Sequence, residues 1–218
     1  ITGYTKANSL SPCKEDHELV DLMYQAGFVS LFVGIESGSQ TDLTLFHKLA
    51  SVEDNRKVLP LLYSHKIKPE YEMIMFHPYA TLDTLKENFL FLRDVKSYNY
   101  RNYTLTGVSI YQNTELYRQA LRDGLLAEGY SYKEPDLYHY KNKEVAQMAN
   151  FIKEHFEMNR EIGKLVTADQ LVTYFYRFSR YSDSVKTMED KIKKVRQDNY
   201  LLLQDYFEPL FLRQNYDT

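Results

Sequence analysis

A short apolar run that ends in a carboxylate and a Gly/Ser turn is the stretch best suited to chemistry. The run at 31–35 reads as a buried strand, and Glu36, Ser37, Gly38 and Ser39 lead from it into a helix. Side chains alternate along a strand, so Glu36 shares a face with residues 32 and 34. Parallel α/β folds place ligands at the carboxyl ends of their strands. Glu36 is therefore either a ligand contact or a last strand residue that meets solvent.

Two further polar residues follow the next apolar run. His77 and Tyr79 come directly after residues 71–76, which also read as a buried strand. A histidine at a strand's carboxyl end suits a proton donor near a substrate, and it equally suits a loop residue with a structural hydrogen bond. Both residues are candidates for the substrate side of a site, and no catalytic residue is assigned.

The composition limits the classes of partner and site. The 218 residues carry a net charge of −3, which gives no field for nucleic acid. The single cysteine, Cys13, excludes a disulfide framework and a Cys-ligated iron–sulfur or zinc site made by this chain alone. No apolar run is long enough to span a membrane, and we expect a cytoplasmic protein. The 20 Tyr and 12 Phe suit either core packing or a large contact surface.

Strands and helices alternate through the first part of the chain. Strands are predicted at 1–7, 31–36, 71–76 and 103–111, and helices at 15–26, 40–48, 51–64, 81–96 and 114–122. This order predicts an α/β fold of parallel, right-handed βα units, with too few strands to close an eight-stranded barrel. Beyond a connection at 127–142, helices are predicted at 144–162, 167–179 and 184–212. An α/β part is therefore followed by an all-α region.

Three segments resemble one enzyme superfamily in order and spacing. The hexapeptide GIESGS at 34–39, with Leu43 and Lys48 after it, resembles the fourth strand of radical S-adenosylmethionine (SAM) enzymes. More narrowly, it is similar to their cobalamin-binding-domain class, which includes anaerobic magnesium-protoporphyrin monomethyl ester oxidative cyclases. The segment 70–92 resembles the fifth strand and its helix, and NTELY at 113–117 resembles the segment after the sixth strand. The three-cysteine motif of these enzymes is absent from the chain.

The resemblance implies the C-terminal half of a partial (β/α) TIM-like barrel with parallel strands at 1–126, a linker at 127–142 and a helical region at 143–218. SAM and a [4Fe–4S] cluster would serve the full-length protein, with cobalamin a further candidate, and none of them is expected on this fragment. The missing N-terminal part of the polypeptide and a small-molecule substrate are the expected partners. Contacts to SAM are implied for six residues: Gly34, Glu36, Ser37, Gly38, Ser39 and Ser109.

Within that reading, Glu36 is expected to face the open lumen of the half-barrel, solvated and without its ligand. No metal ligand is expected from this chain. A second reading remains open: a cluster-free binding module whose Tyr-rich helical surface holds a partner or a tetrapyrrole-like ligand. The absent cysteines and the aromatic content motivate this alternative.

Overall fold

Three parallel strands form the sheet of this mixed α/β protein. The computed structural model describes residues 1–97, 103, 107–133, 138–156 and 189–212. Strand β1 spans Thr2–Lys6, β2 spans Ser30–Gly34 and β3 spans Lys68–Glu70, in the spatial order β1-β2-β3. Both pairs are parallel. The predicted parallel α/β arrangement is thereby confirmed.

Seven helices lie in the described part of the chain. They are α1 (Lys14–Gln25), α2 (Gln40–Leu45), α3 (Val52–Ser64), α4 (Leu82–Asp94), α5 (Glu115–Arg122), α6 (Lys143–Phe156) and α7 (Glu189–Leu212). A 3-10 turn at Ala7–Ser9 follows β1. Each helix before residue 127 lies within three residues of its predicted position. The predicted helix at 167–179 lies outside the described residues.

Side-chain caps explain why α3, α4 and α5 begin where they do. Ser51 and Asp54 form a capping box, in which each side chain bonds the other residue's backbone N–H. Thr81 and Thr84 form the same arrangement at α4, and the Thr114 hydroxyl caps α5. These bonds satisfy backbone donors that a helix leaves unpaired at its start.

The third strand lies before the position predicted for it. Its regular part is Lys68–Glu70, and beyond that strand the residues predicted at 71–76 make only isolated bridges, Glu36 with Met73 and Phe76 with Gly107. Tight local bonds bend the end of β2, because Ile35 N–H donates to Val33 O at 2.9 Å. The regular pairing of β2 with β3 ends at Phe32 and Glu70, and the segments that follow the two strands meet again at the bridge between Glu36 and Met73. Of the predicted strand at 103–111, residues 104–106 lie outside the described part.

The main hydrophobic core joins the sheet to the C-terminal helices. On β2, Leu31 and Val33 are buried, whereas Phe32 and Gly34 on the other face are partly exposed. Helix α7 packs on α4: the rings of Phe211 and Phe89 stack with centroids 5.4 Å apart. Buried residues of α6 and α7 belong to the same cluster as those of the α/β part. The division into 1–126, 127–142 and 143–218 stays a prediction.

The face of the sheet opposite the helices is open at β1. Tyr4 is 87% exposed, and its ring lies 5.5 Å from that of Phe32 on the neighbouring strand. Glu36 continues this face beyond the end of β2, where it is only partly buried. Within the described ranges, no helix is both long and apolar enough to cross a membrane.

Candidate functional site

Glu36 lies at the tip of β2 in an unusual backbone conformation. Its φ is +63°, in the left-handed region that residues with a Cβ adopt at a cost. Its carboxylate accepts a bond from Lys48 Nζ at 2.7 Å, and its side chain is 26% exposed. A methyl group placed on Gly34 would lie 3.5 Å from Glu36 Oε1, so the carboxylate lies beside Gly34. The expected solvated carboxylate is thus partly exposed and paired with a lysine.

A buried amide fixes the backbone on both sides of Glu36. Asn55 is fully buried on α3, and its Nδ2 donates to Ile35 O at 3.0 Å and to Ser37 O at 2.9 Å. These two carbonyls belong to the residues before and after Glu36. Both N–H protons of the Asn55 amide are donated to these carbonyls. The backbone at Glu36 therefore cannot rotate without leaving buried polar groups unpaired.

The left-handed backbone at Glu36 predicts an ordering of two variants. Glu36→Gly and Glu36→Ala both remove the carboxylate and its bond to Lys48. Glycine has no Cβ penalty at positive φ, so we expect Glu36→Gly to be the more stable by about 1 kcal/mol. Urea unfolding of the two variants measures the difference directly. Equal midpoints, or a more stable alanine variant, would show that the backbone there is unstrained.

Behind the strand tip lies a buried polar network. Ser37 Oγ lies 3.0 Å from Asp42 Oδ2 and 2.7 Å from Asn88 Oδ1, and its one proton serves one of these acceptors at a time. Asn88 Nδ2 donates to Asp42 Oδ2 at 3.0 Å, and Gly38 N–H donates to Asn88 Oδ1 at 2.6 Å. Ser37, Asp42 and Asn88 are each at most 1% exposed. The network therefore ties the Gly/Ser turn to α2 and α4.

His77 belongs to the same network. Its Nε2 lies 3.1 Å from Asp42 Oδ1, and both side chains are 1% exposed. Phe46 covers the imidazole edge-on with ring centroids 5.1 Å apart. Among the described residues, no group bonds its buried Nδ1. The structure thus places this substrate-side candidate inside the protein, with Asp42 as its hydrogen-bond partner.

Gly38 and Ser39 are packed against helices. An added Cβ on Gly38 would lie 2.2 Å from Cβ of Phe91 on α4, closer than any real contact. Ser39 is fully buried and its N–H donates to Ser37 Oγ at 3.0 Å. The Ser39 hydroxyl has no partner within the described ranges. Gly38, one of the residues with an implied SAM contact, therefore lets its backbone approach α4 closely.

Tyr79 lies in a separate group. Its hydroxyl donates to Asp123 Oδ2 at 3.0 Å, and Lys141 Nζ lies 3.6 Å from the same oxygen and 5.7 Å from the centre of the tyrosine ring. Burial and the bond to Asp123 raise the pKa of Tyr79 well above its ordinary value, so it is a neutral donor here. Ser109 is half-buried near Ile110, whose N–H bonds Tyr130 Oη at 2.8 Å.

Sequence reasoning missed Asn55, Asp42 and Asn88. Each is a buried polar residue on a helix that also carries buried apolar residues. A polar side chain on an apolar helix face was the available signal, because such a group needs a partner when buried. The partners of Asn88 lie 46 or more residues away in the sequence, and residue spacing does not reveal contacts over that distance.

Comparison with known proteins links the chain to one enzyme class. It is 29% identical over 79 residues to the anaerobic magnesium-protoporphyrin IX monomethyl ester cyclase of Rubrivivax gelatinosus, and 32% identical over 76 residues to that of Cereibacter sphaeroides. Over part of its length, this chain therefore resembles these two cyclases in sequence. These matches cover 36% and 35% of the chain, and only 14% and 12% of the two relatives. No protein-family model matches the chain.

Solved structures support the relationship at the level of fold. The cobalamin-dependent SAM radical enzyme OxsB in its apo form matches 95% of this chain and 37% of its own, with a TM-score of 0.57 and 19% identity. The form with aqua-cobalamin bound matches 98% of this chain and 42% of its own, with the same TM-score of 0.57 and 17% identity. The predicted relationship to the cobalamin class is thus confirmed over partial coverage.

The donor atoms present do not fit every cofactor of that class. Cys13 is the chain's single cysteine, and it is exposed. An iron–sulfur cluster needs several thiolates, so this chain cannot hold one by itself. A partly exposed carboxylate at Glu36, with the uncovered Gly34 beside it, does fit the polar groups of a ligand such as SAM.

Proposed function

We propose that this chain is part of a radical SAM iron–sulfur oxidoreductase of the cobalamin class, with an oxidative cyclase-like reaction. The observation that carries the proposal is its sequence similarity to two magnesium-protoporphyrin cyclases. The fold it shares with a cobalamin-dependent SAM radical enzyme agrees with this reading. Because the chain spans a small share of these proteins, the rest of the site belongs to other parts of a longer polypeptide, and this piece alone is inactive.

In that enzyme the tip of β2 forms part of the SAM wall. The carboxylate of Glu36 accepts hydrogen bonds from the ribose hydroxyls or the ammonium group of SAM, and its hydrogen bond to Lys48 Nζ weakens as a result. Gly34 leaves room beside it. Buried contacts of Ser37, Gly38 and Ser39 hold the tip of β2 against the helices behind it. The half-buried Ser109 is a further candidate for a contact to SAM.

The cofactors and partners follow from the same proposal. SAM and a [4Fe–4S] cluster serve the full-length protein, where they supply radical chemistry, and cobalamin is a further candidate. Cysteines outside this chain must hold the cluster. A small-molecule substrate is the expected partner, with Tyr79 nearer to solvent than the buried His77. With a single cysteine and a net charge of −3, we propose a cytoplasmic protein that does not bind nucleic acid.

The SAM affinity of the full-length protein tests the role of Glu36. We expect Glu36→Gln to weaken SAM binding about tenfold, because a neutral amide loses the charge that strengthens hydrogen bonds to the ammonium and hydroxyl groups. Glu53→Gln is the matched control, since Glu53 is an exposed glutamate on α3 that pairs with Lys57. Equilibrium binding to the two variants measures the effect. If Glu36→Gln and Glu53→Gln bind SAM alike, Glu36 does not line the SAM site.

A further inference from the structure

Two histidines from different helices face each other nitrogen to nitrogen, away from the tip of β2. His17 lies on α1, and His65 directly follows the last residue of α3. His17 Nδ1 lies 2.7 Å from His65 Nε2, and the ring centroids are 4.9 Å apart. Both imidazoles are partly buried. The described contacts of the strand tip use neither of them.

A carboxylate fixes the orientation of one of the two rings. Asp21, one turn after His17 on α1, has its Oδ1 2.5 Å from His65 Nδ1. An ionised carboxylate only accepts hydrogen bonds, so His65 carries a proton on Nδ1 and directs the lone pair of Nε2 at His17. A histidine whose second nitrogen is bonded to a carboxylate is the arrangement that surrounds metal-bound imidazoles in proteins.

We propose that His17 and His65 bind a divalent late transition metal such as Zn²⁺. The ligand atoms are His17 Nδ1 and His65 Nε2, water completes the coordination, and Asp21 orients His65 from behind. The metal replaces the proton between the two rings, and His17 then carries its own proton on Nε2. Imidazole nitrogens suit Zn²⁺, Cu²⁺ and Ni²⁺ better than they suit Mg²⁺ or Ca²⁺.

The geometry requires a small adjustment. Two Zn–N bonds of about 2.0–2.1 Å at a tetrahedral angle place their nitrogens roughly 3.3 Å apart. The rings must therefore separate by about half an ångström, which a partly exposed side chain such as His17 permits. A cation at this point also lies at the C-terminal end of α3, where the helix dipole favours positive charge.

The proposed site has two protein ligands, and this small number limits its affinity for the metal. Within the described ranges, no group of three or more His, Cys, Asp or Glu side chains converges on a common point. The site is thus weaker than a structural zinc site with four protein ligands. Binding joins α1 to the end of α3, so metal added in excess of its dissociation constant raises the melting temperature.

Zn²⁺ titration of the untagged chain by calorimetry at neutral pH tests the proposal, and thermal melting reports the coupling to the fold. We expect one equivalent bound by the wild type and none by His17→Ala. Asp21→Asn keeps both ligands and is expected to bind about tenfold more weakly. His139→Ala removes an exposed histidine elsewhere and is expected to bind as the wild type does. All titrations are repeated with Cys13→Ser, which removes the exposed thiol as a competing ligand.

Cu²⁺ provides a readout that does not depend on folding differences between variants. Electron paramagnetic resonance of the Cu²⁺-loaded wild type should show splitting from two imidazole nitrogens, and His17→Ala should lose one of them. Urea unfolding of His17→Ala checks that the variant is folded. The proposal is wrong if the wild type binds no Zn²⁺, or if His17→Ala binds it with unchanged affinity and stoichiometry.

Discussion

Replacing Gly38 with alanine is expected to destabilise the protein by about 2–4 kcal/mol, a large part of the stability of an ordinary domain. The new Cβ would lie 2.2 Å from Phe91 Cβ and 2.6 Å from Phe91 Cγ. Phe91 Cβ is anchored to the backbone of α4, so rotation of the ring cannot relieve the clash. The helix or the Gly/Ser turn must move, and either movement disturbs the bond from Gly38 N–H to Asn88.

Gly34→Ala is the matched control for Gly38→Ala. Its added Cβ would meet only Glu36 Oε1 at 3.5 Å and Thr5 O at 4.0 Å, which are ordinary contact distances. Both variants replace a glycine with alanine, one at the end of β2 and one in the Gly/Ser turn. They differ in the atoms that the new Cβ meets. Urea midpoints and slopes of the two variants measure the contrast. A Gly38→Ala protein as stable as Gly34→Ala would contradict the packing of the turn against α4.

The second large effect is expected at Asp42. Removing this carboxylate by Asp42→Ala should destabilise the protein by about 3–5 kcal/mol, because it leaves buried partners without their acceptor. Those partners are Asn88 Nδ2 at 3.0 Å, His77 Nε2 at 3.1 Å and the Ser37 hydroxyl at 3.0 Å. Asp42 itself is 1% exposed, so water cannot replace the carboxylate without opening the core.

An exposed aspartate provides the control for Asp42→Ala. Asp94 pairs with Arg56 at the surface, and its side chain is 48% exposed. Asp94→Ala is expected to change the stability by no more than about 1 kcal/mol. A double-mutant cycle between Asp42→Ala and Asn88→Ala should show a coupling of about 1 kcal/mol or more, because the two side chains share bonds. Additive losses, or an Asp42→Ala effect no larger than that of Asp94→Ala, would show that the network contributes little.

These two expectations change how the Gly/Ser turn is understood. The family resemblance implies ligand contacts for Ser37, Gly38 and Ser39, and the structure gives each of them a buried contact within the protein. The residue left partly exposed is Glu36, in a left-handed backbone that the Asn55 amide brackets on both sides. The buried residues therefore hold the turn against α2 and α4, next to the partly exposed Glu36.

Local patterns predicted the helices and the order of the strands. Helices are predicted to begin at residues 51 and 81, and in the structure Ser51 and Thr81 cap the helices that start there. Capping depends on residues within one turn of each other, which is why the sequence reveals it. The tip of β2 was identified for the same reason, since an apolar run followed by Gly and Ser is a local signal.

Features that depend on distant contacts were not predictable in the same way. The alternation of 71–76 resembles a strand, yet the regular pairing with β2 lies at Lys68–Glu70 and ends where β2 reaches Phe32. The pairing of Asp42 with Asn88 and His77 joins segments 46 and 35 residues apart. Nothing in the spacing of those residues distinguishes a buried acceptor from an exposed one.

Anaerobic reconstitution of the full-length protein with iron and sulfide tests the proposed function most directly. We expect it to take up a [4Fe–4S] cluster, visible in its absorption spectrum, and to form 5′-deoxyadenosine from SAM after chemical reduction. The same treatment of this chain alone should yield neither, because Cys13 is its single cysteine. A full-length protein that takes up no cluster and forms no 5′-deoxyadenosine would contradict the proposal and favour a cluster-free binding module instead.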